Sequence, residues 1–94
     1  MTIKGDDYMT LSLREQDLDW REIEDEIVAL DTQGAVYLAV HGSGAVLWRL
    51  LADCTTRDGL VTALVDTYDI DATRAGDDVD EFLATLSERG LLAS

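Results

Sequence analysis

The hydrophobic period changes once along this chain, and that change limits the fold more than any other feature. From Tyr8 to Val40 apolar residues tend to alternate with polar ones. From Ser43 to Leu92 they recur every three or four positions. A period of two marks half-buried strands, and a period near 3.6 marks amphipathic helices. Strands first and helices second is the order of an α+β domain. At 94 residues the chain has room for one modest core, which predicts a single domain over 1–94.

Met9, Leu11 and Leu13 read as a short strand, broken by polar residues from Arg14 to Asp17. Leu18 to Ile23 is ambiguous, because Trp20 and Ile23 are its only large apolar residues after Leu18. Glu24-Asp25 reads as a turn. Glu26 to Leu30 is a strand with β-branched Ile27 and Val28. Asp31-Thr32-Gln33-Gly34 forms a hairpin connection, and Ala35 to Val40 is the next strand. On it Val36, Leu38 and Val40 share one face, and Ala35, Tyr37 and Ala39 the other. Residues 1–17 are expected to form a loosely packed N-terminal extension.

Three helices follow. Ser43 is the expected cap of the first, with Val46, Leu47, Leu50 and Leu51 as its apolar stripe. Thr55 or Thr56 caps the second, whose stripe is Leu60, Val61, Leu64, Val65 and Tyr68. Asp71 caps the third, where Ala72, Ala75, Val79, Phe82, Leu83 and Leu86 recur at helical spacing. Gly90 is a natural stop, after which Leu91 and Leu92 fold back onto the core. With no proline in the chain, its turns rest on Gly, Asp, Thr and Ser. The short turn between the last two helices is compatible with a helix-turn-helix.

Charge narrows the function. Seven Lys+Arg against twenty Asp+Glu leave a net charge of −13. Nucleic-acid affinity comes largely from cations that replace counterions, so this balance argues against a phosphate backbone as partner. It equally disfavours an anionic membrane surface. Cys54 is the single cysteine, which excludes an internal disulfide and a multi-cysteine zinc site. The first residues lack the apolar core of a signal peptide. A cytoplasmic protein is the expectation.

No motif carries catalysis. Gly42-Ser43-Gly44 sits where phosphate-binding glycines sit, but the third glycine of the dinucleotide fingerprint would fall on Leu47. His41 and Cys54 bracket one helix, roughly 20 Å apart at 1.5 Å per residue, too far for a nucleophile and its base. Asp77, Asp78, Asp80 and Glu81 point in different directions around a helix and suit a solvated helix start better than a cation site. No metal and no cofactor is expected. Two other features suggest binding. The strand from Gly34 to Val40 has neither Pro nor charge, the residues that usually guard a sheet edge, so either an extended peptide joins it as a further strand or another strand of the same domain covers it. On the third helix, Asp78, Phe82, Thr85 and Arg89 fall along one shoulder of the stripe, the outline of a groove with an apolar floor and polar edges.

The residues also resemble a known family. Tyr37-Leu38-Ala39-Val40-His41-Gly42-Ser43-Gly44-Ala45-Val46-Leu47-Trp48 is similar to the strand-to-helix junction of the PqqD-like peptide-recognition domains. Leu50-Leu51 and Thr55-Thr56 continue it. Arg74-Ala75, Asp78-Val79, Leu83, Leu86 and Gly90-Leu91-Leu92 match that family's C-terminal signature. His41 and Val40 depart from its usual Asn and Leu. The likeness covers roughly residues 18 to 93, and the length resembles stand-alone members of lasso-peptide systems.

The resemblance implies a winged helix-turn-helix, with an N-terminal three-stranded antiparallel sheet followed by three helices, and no catalysis. It implies that the leader segment of a ribosomally made precursor peptide becomes a further antiparallel strand and lies beside the third helix. The expected peptide-binding residues are Ala35, Val36, Tyr37, Leu38, Ala39, Ala75, Asp78, Val79, Phe82 and Leu86. Expected partners are a leader peptide with a Tyr-x-x-Pro motif, a leader peptidase and an ATP-dependent lasso cyclase. The charge suggests a Lys-rich leader. The alternative is a winged-helix DNA-binding regulator, which the acidic third helix opposes.

Overall fold

The computed structural model describes residues 10–34 and 36–93. Three strands, β1 Leu18–Ile23, β2 Glu26–Asp31 and β3 Val36–Val40, precede three helices, α1 Ser43–Ala52, α2 Arg57–Tyr68 and α3 Ala72–Glu88. The strands form one antiparallel sheet in the order β1-β2-β3, so the expected α+β architecture is the observed one. The ambiguous run Leu18–Ile23 is a full strand, paired residue for residue with Glu26–Asp31. Asp19, Arg21 and Glu22 are tolerated there because β1 is an edge, with water on most of its length.

The alternation near the N-terminus has a different meaning from the one expected. Met9 lies outside the described residues. Leu11 pairs with Thr55 and Leu13 with Leu92 as isolated bridges, so this segment is extended but does not join the sheet. Leu13 is only 5% exposed and belongs to the core. Residues 10–17, expected at the loose end of the chain, are thus tied to the α1–α2 junction and to the residues after α3.

Register decides which face of the sheet is buried. Ile27, Ala29 and Asp31 of β2 are buried, and opposite them on β3 stand Val40, Leu38 and Val36. Val28 and Leu30 alternate onto the outer face. The helices cover the inner face with Leu47, Trp48 and Leu51 of α1, Leu60 and Leu64 of α2, and Ala75, Val79 and Leu86 of α3. The buried face of α1 is turned from the expected stripe. Trp48 lies at its centre, while Val46 and Leu50 flank it. The ring of Trp20 meets that of Trp48 edge-on, centroids 6.0 Å apart at 77°, a favoured aromatic geometry. Tyr68, expected in the α2 stripe, is largely exposed.

Local signals set the helix ends. Thr56 caps α2 by accepting from the Gly59 N–H, and Asp71 caps α3 by accepting from the Arg74 N–H. Ser43 does not cap α1. The cap position is Gly42, at φ 61 and ψ −133 with no side-chain bond, a conformation open essentially to glycine. Gly90 ends α3 with φ 70, and Leu91 returns into the core as expected.

Arg14 clasps three parts of the chain. Its guanidinium bonds the Asp31 carboxylate at the end of β2 and the Gly90 carbonyl after α3. Burial pushes the Asp31 carboxyl up, but the bonds from Arg14 and from the Gly34 and Gln33 N–H groups outweigh it and hold its pKa below the ordinary aspartate value. A folded pKa below the unfolded one gives stability that is complete above the unfolded value. It is lost as pH falls through the folded value. Asp31→Asn is therefore expected to lower Tm at neutral pH, and the difference from the parent should shrink on acidification. Thermal melts by circular dichroism across pH check this. The paired difference matters because acid also relieves the general repulsion of a chain at −13. A deficit that stayed constant down to strong acid would show that the Asp31 charge is not the source.

Candidate functional site

β3 is an edge of the sheet, since the order is β1-β2-β3 and no further strand pairs with it among the described residues. Its residues Val36, Tyr37, Leu38, Ala39 and Val40 carry no charge. Beside it β3 and α3 diverge, leaving a groove of about 360 Å³. Leu38 and Val40 form its strand wall, Asp78, Glu81, Phe82 and Thr85 its helix wall, and Leu47 and Leu86 lie at its base. The start of α1 closes one side with Ser43 and Gly44. A Cβ on Gly44 would lie 3.4 Å from both Phe82 Cε1 and Val40 Cβ, so this position faces both walls at contact distance.

The residues expected to bind peptide do not all stand in the same place. Leu38, Asp78, Phe82 and Leu86 line the groove. Ala75 and Val79 do not line it. Both are fully buried in the core and brace α3 from behind. They share the α3 stripe with Leu86, but the helix turns them into the core rather than towards the opening. Tyr37 and Ala39 alternate onto the far face of the sheet. Tyr37 is 65% exposed there, across from Leu30 at 43%, so these two offer the groove their backbone and not their side chains. Val36 continues the same strand backbone, and Ala35 lies outside the described residues.

Val40, Ser43, Gly44, Leu47 and Glu81 escaped the sequence reading of the site. The α1 stripe reads as core, and nothing local shows that its first turn also borders an opening. A small residue at the second helical position, beside a strand end, was the available signal.

The groove is apolar below and acidic at the rim. Among the described residues Asp78 and Glu81 are its only charged lining residues. The ion pairs among the described residues join Arg14 to Asp31, Arg49 to Glu22 and Arg57 to Asp80, and so leave both rim carboxylates without a cation. The Thr85 hydroxyl donates to the Glu81 carbonyl at 3.1 Å, which holds it along the helix. Chemically the site offers strand hydrogen bonds, an apolar trough and negative charge. Among the described residues no group of three His, Cys, Asp or Glu side chains is arranged to hold a metal ion. No described helix is long and apolar enough to cross a membrane.

The family described as coenzyme PQQ synthesis protein D (PqqD) matches residues 26–92, from the start of β2 to beyond α3. No curated protein sequence matches significantly. Among solved structures, TbiB1 in complex with the TbiA(beta) leader peptide is 25% identical. The alignment covers 88% of this chain and 95% of that one, with a TM-score of 0.82. Lasso peptide synthetase B1 complexed with the leader peptide shares the fold at 20% identity, covering 89% of this chain and 98% of that one, with a TM-score of 0.78.

Proposed function

We propose that this chain, which belongs to the PqqD family, binds the leader segment of a ribosomally synthesised precursor peptide by strand addition to β3. The observation that carries the reading is the unguarded, uncharged edge of β3 running beside an apolar groove. Backbone bonds to such an edge give affinity that tolerates sequence, and pockets for alternate side chains give specificity. The two similar solved structures are themselves leader-peptide complexes, which supports the same occupant here. The captured precursor is presented to a leader peptidase and then to an ATP-dependent cyclase of lasso-peptide biosynthesis, in the cytoplasm. The leader carries a Tyr-x-x-Pro motif whose side chains seat in the groove. The chain acts by binding and not by catalysis. His41 and Cys54 stand beyond opposite ends of α1 and are both exposed. The DNA-binding alternative gains no support, because Asp77, Asp80, Glu81 and Glu88 all expose their carboxylates along α3.

The test is a fluorescence anisotropy titration with a labelled short peptide encoded beside this gene, its N-terminal half also tried alone. Saturable binding by that half, with Kd on the order of 1 µM or tighter, is the expected result. Changing its Tyr or Pro should abolish it. The chain's net charge predicts faster association at low salt than at high salt for a Lys-containing leader. No binding by the intact peptide at high micromolar protein would overturn the reading for that precursor.

A further inference from the structure

We infer that Asp78 sets the charge preference of the bound segment, which carries a Lys or Arg between two apolar side chains. This rests on the leader-binding reading above and names the class of leader. A second cavity of about 300 Å³ adjoins the first, and Ser43 and Asp78 line both. The second cavity is walled by Leu64 and Tyr68 of α2, Ile70 in the connection, and Arg74 of α3. A peptide lying along β3 and continuing past Val40 leaves one apolar cavity and enters the next across Asp78.

Asp78 is half-buried and, like Glu81 on the same rim, takes part in none of the ion pairs among the described residues. Arg74, one turn earlier, lines the second cavity but does not pair with it. A purely apolar segment laid over this carboxylate strips water from a charge and returns nothing, which is costly. A Lys or Arg at that point replaces the lost water with a charge-assisted hydrogen bond. The preference is therefore a difference between two occupants, and much of it is rejection of the uncharged one. The apolar side chains two residues before and two after it, which share its face in an extended segment, fall into the two cavities and fix the register.

The experiment is selection of a displayed library of random linear peptides on the full chain. Selection on the parent is expected to enrich peptides with a Lys or Arg that has an apolar residue two positions away on either side. On Asp78→Lys the flanking residues should persist while the central one becomes acidic. Asp78→Asn should bind the parent-selected peptide about tenfold more weakly at low salt, with a flatter salt dependence. An apolar pattern with no central base, or the same central base on Asp78→Lys, overturns this inference and leaves leader binding standing. Failure of the parent to enrich any peptide, with the library active on a control protein, removes the leader-binding reading itself.

Discussion

Trp48→Ala is expected to cost about 3–5 kcal/mol, a large share of the roughly 5–15 kcal/mol that holds a domain of this size together. Trp48 is fully buried, the largest such side chain, and joins three parts of the molecule. It sits on α1, packs within the core that α2 and α3 complete, and meets Trp20 of β1 edge-on. Truncation leaves a cavity between sheet and helices that neither layer can close alone. Among the described residues, however, its indole N–H has no hydrogen-bond partner, and an unpaired buried donor is itself unfavourable. Trp48→Phe deletes that donor while keeping a ring against Trp20, so its cost should stay below about 2 kcal/mol. Urea unfolding followed by circular dichroism separates the two, with equal m-values as the check on a common mechanism. A Phe variant as damaged as the Ala variant would show that the indole N–H is satisfied in solution.

Gly44→Leu is expected to keep the fold and weaken leader binding at least tenfold, or about 1.4 kcal/mol. The position lies in the first turn of α1, where replacing Gly favours the helix by up to about 1 kcal/mol. The first carbon of the new side chain meets Phe82 and Val40 at ordinary contact distance. The remaining atoms have only the groove to occupy. Gly44→Ala should fall between parent and Leu variant in affinity, with no loss of Tm. Melting curves and anisotropy titrations on the same preparations read both quantities. A folded Leu variant with parental affinity would place the peptide somewhere other than the trough between β3 and α3. This substitution is a sharper probe than Tyr37→Ala, because the Tyr37 side chain stands on the far face of the sheet.

Much of the architecture was legible in the residues because it follows from local physics. The change of hydrophobic period at the end of β3 separates sheet from helices. Thr56, Asp71 and Gly90 mark helix ends through bonds and backbone angles that span a few residues. The uncharged run of β3 and the shoulder of α3 with Asp78 and Phe82 were visible for the same reason, since each needs only one element's own spacing, whereas the sheet order alone made β3 an edge. Tertiary structure decided what depends on two elements at once. Leu18–Ile23 became a strand because β2 supplied its partners, against its own charges. Leu11 and Leu13 found partners in Thr55 and Leu92, far along the chain, rather than in the sheet. Ala75 and Val79 turned to the core and Leu86 to the base of the groove, although all three follow one stripe. Gly44 became a wall of the groove only because the start of α1 is set between Val40 of β3 and Phe82 of α3. Periodicity fixes which side chains of an element share a face. Which neighbour that face meets, and where two elements part to leave space, is set by packing between residues distant in sequence.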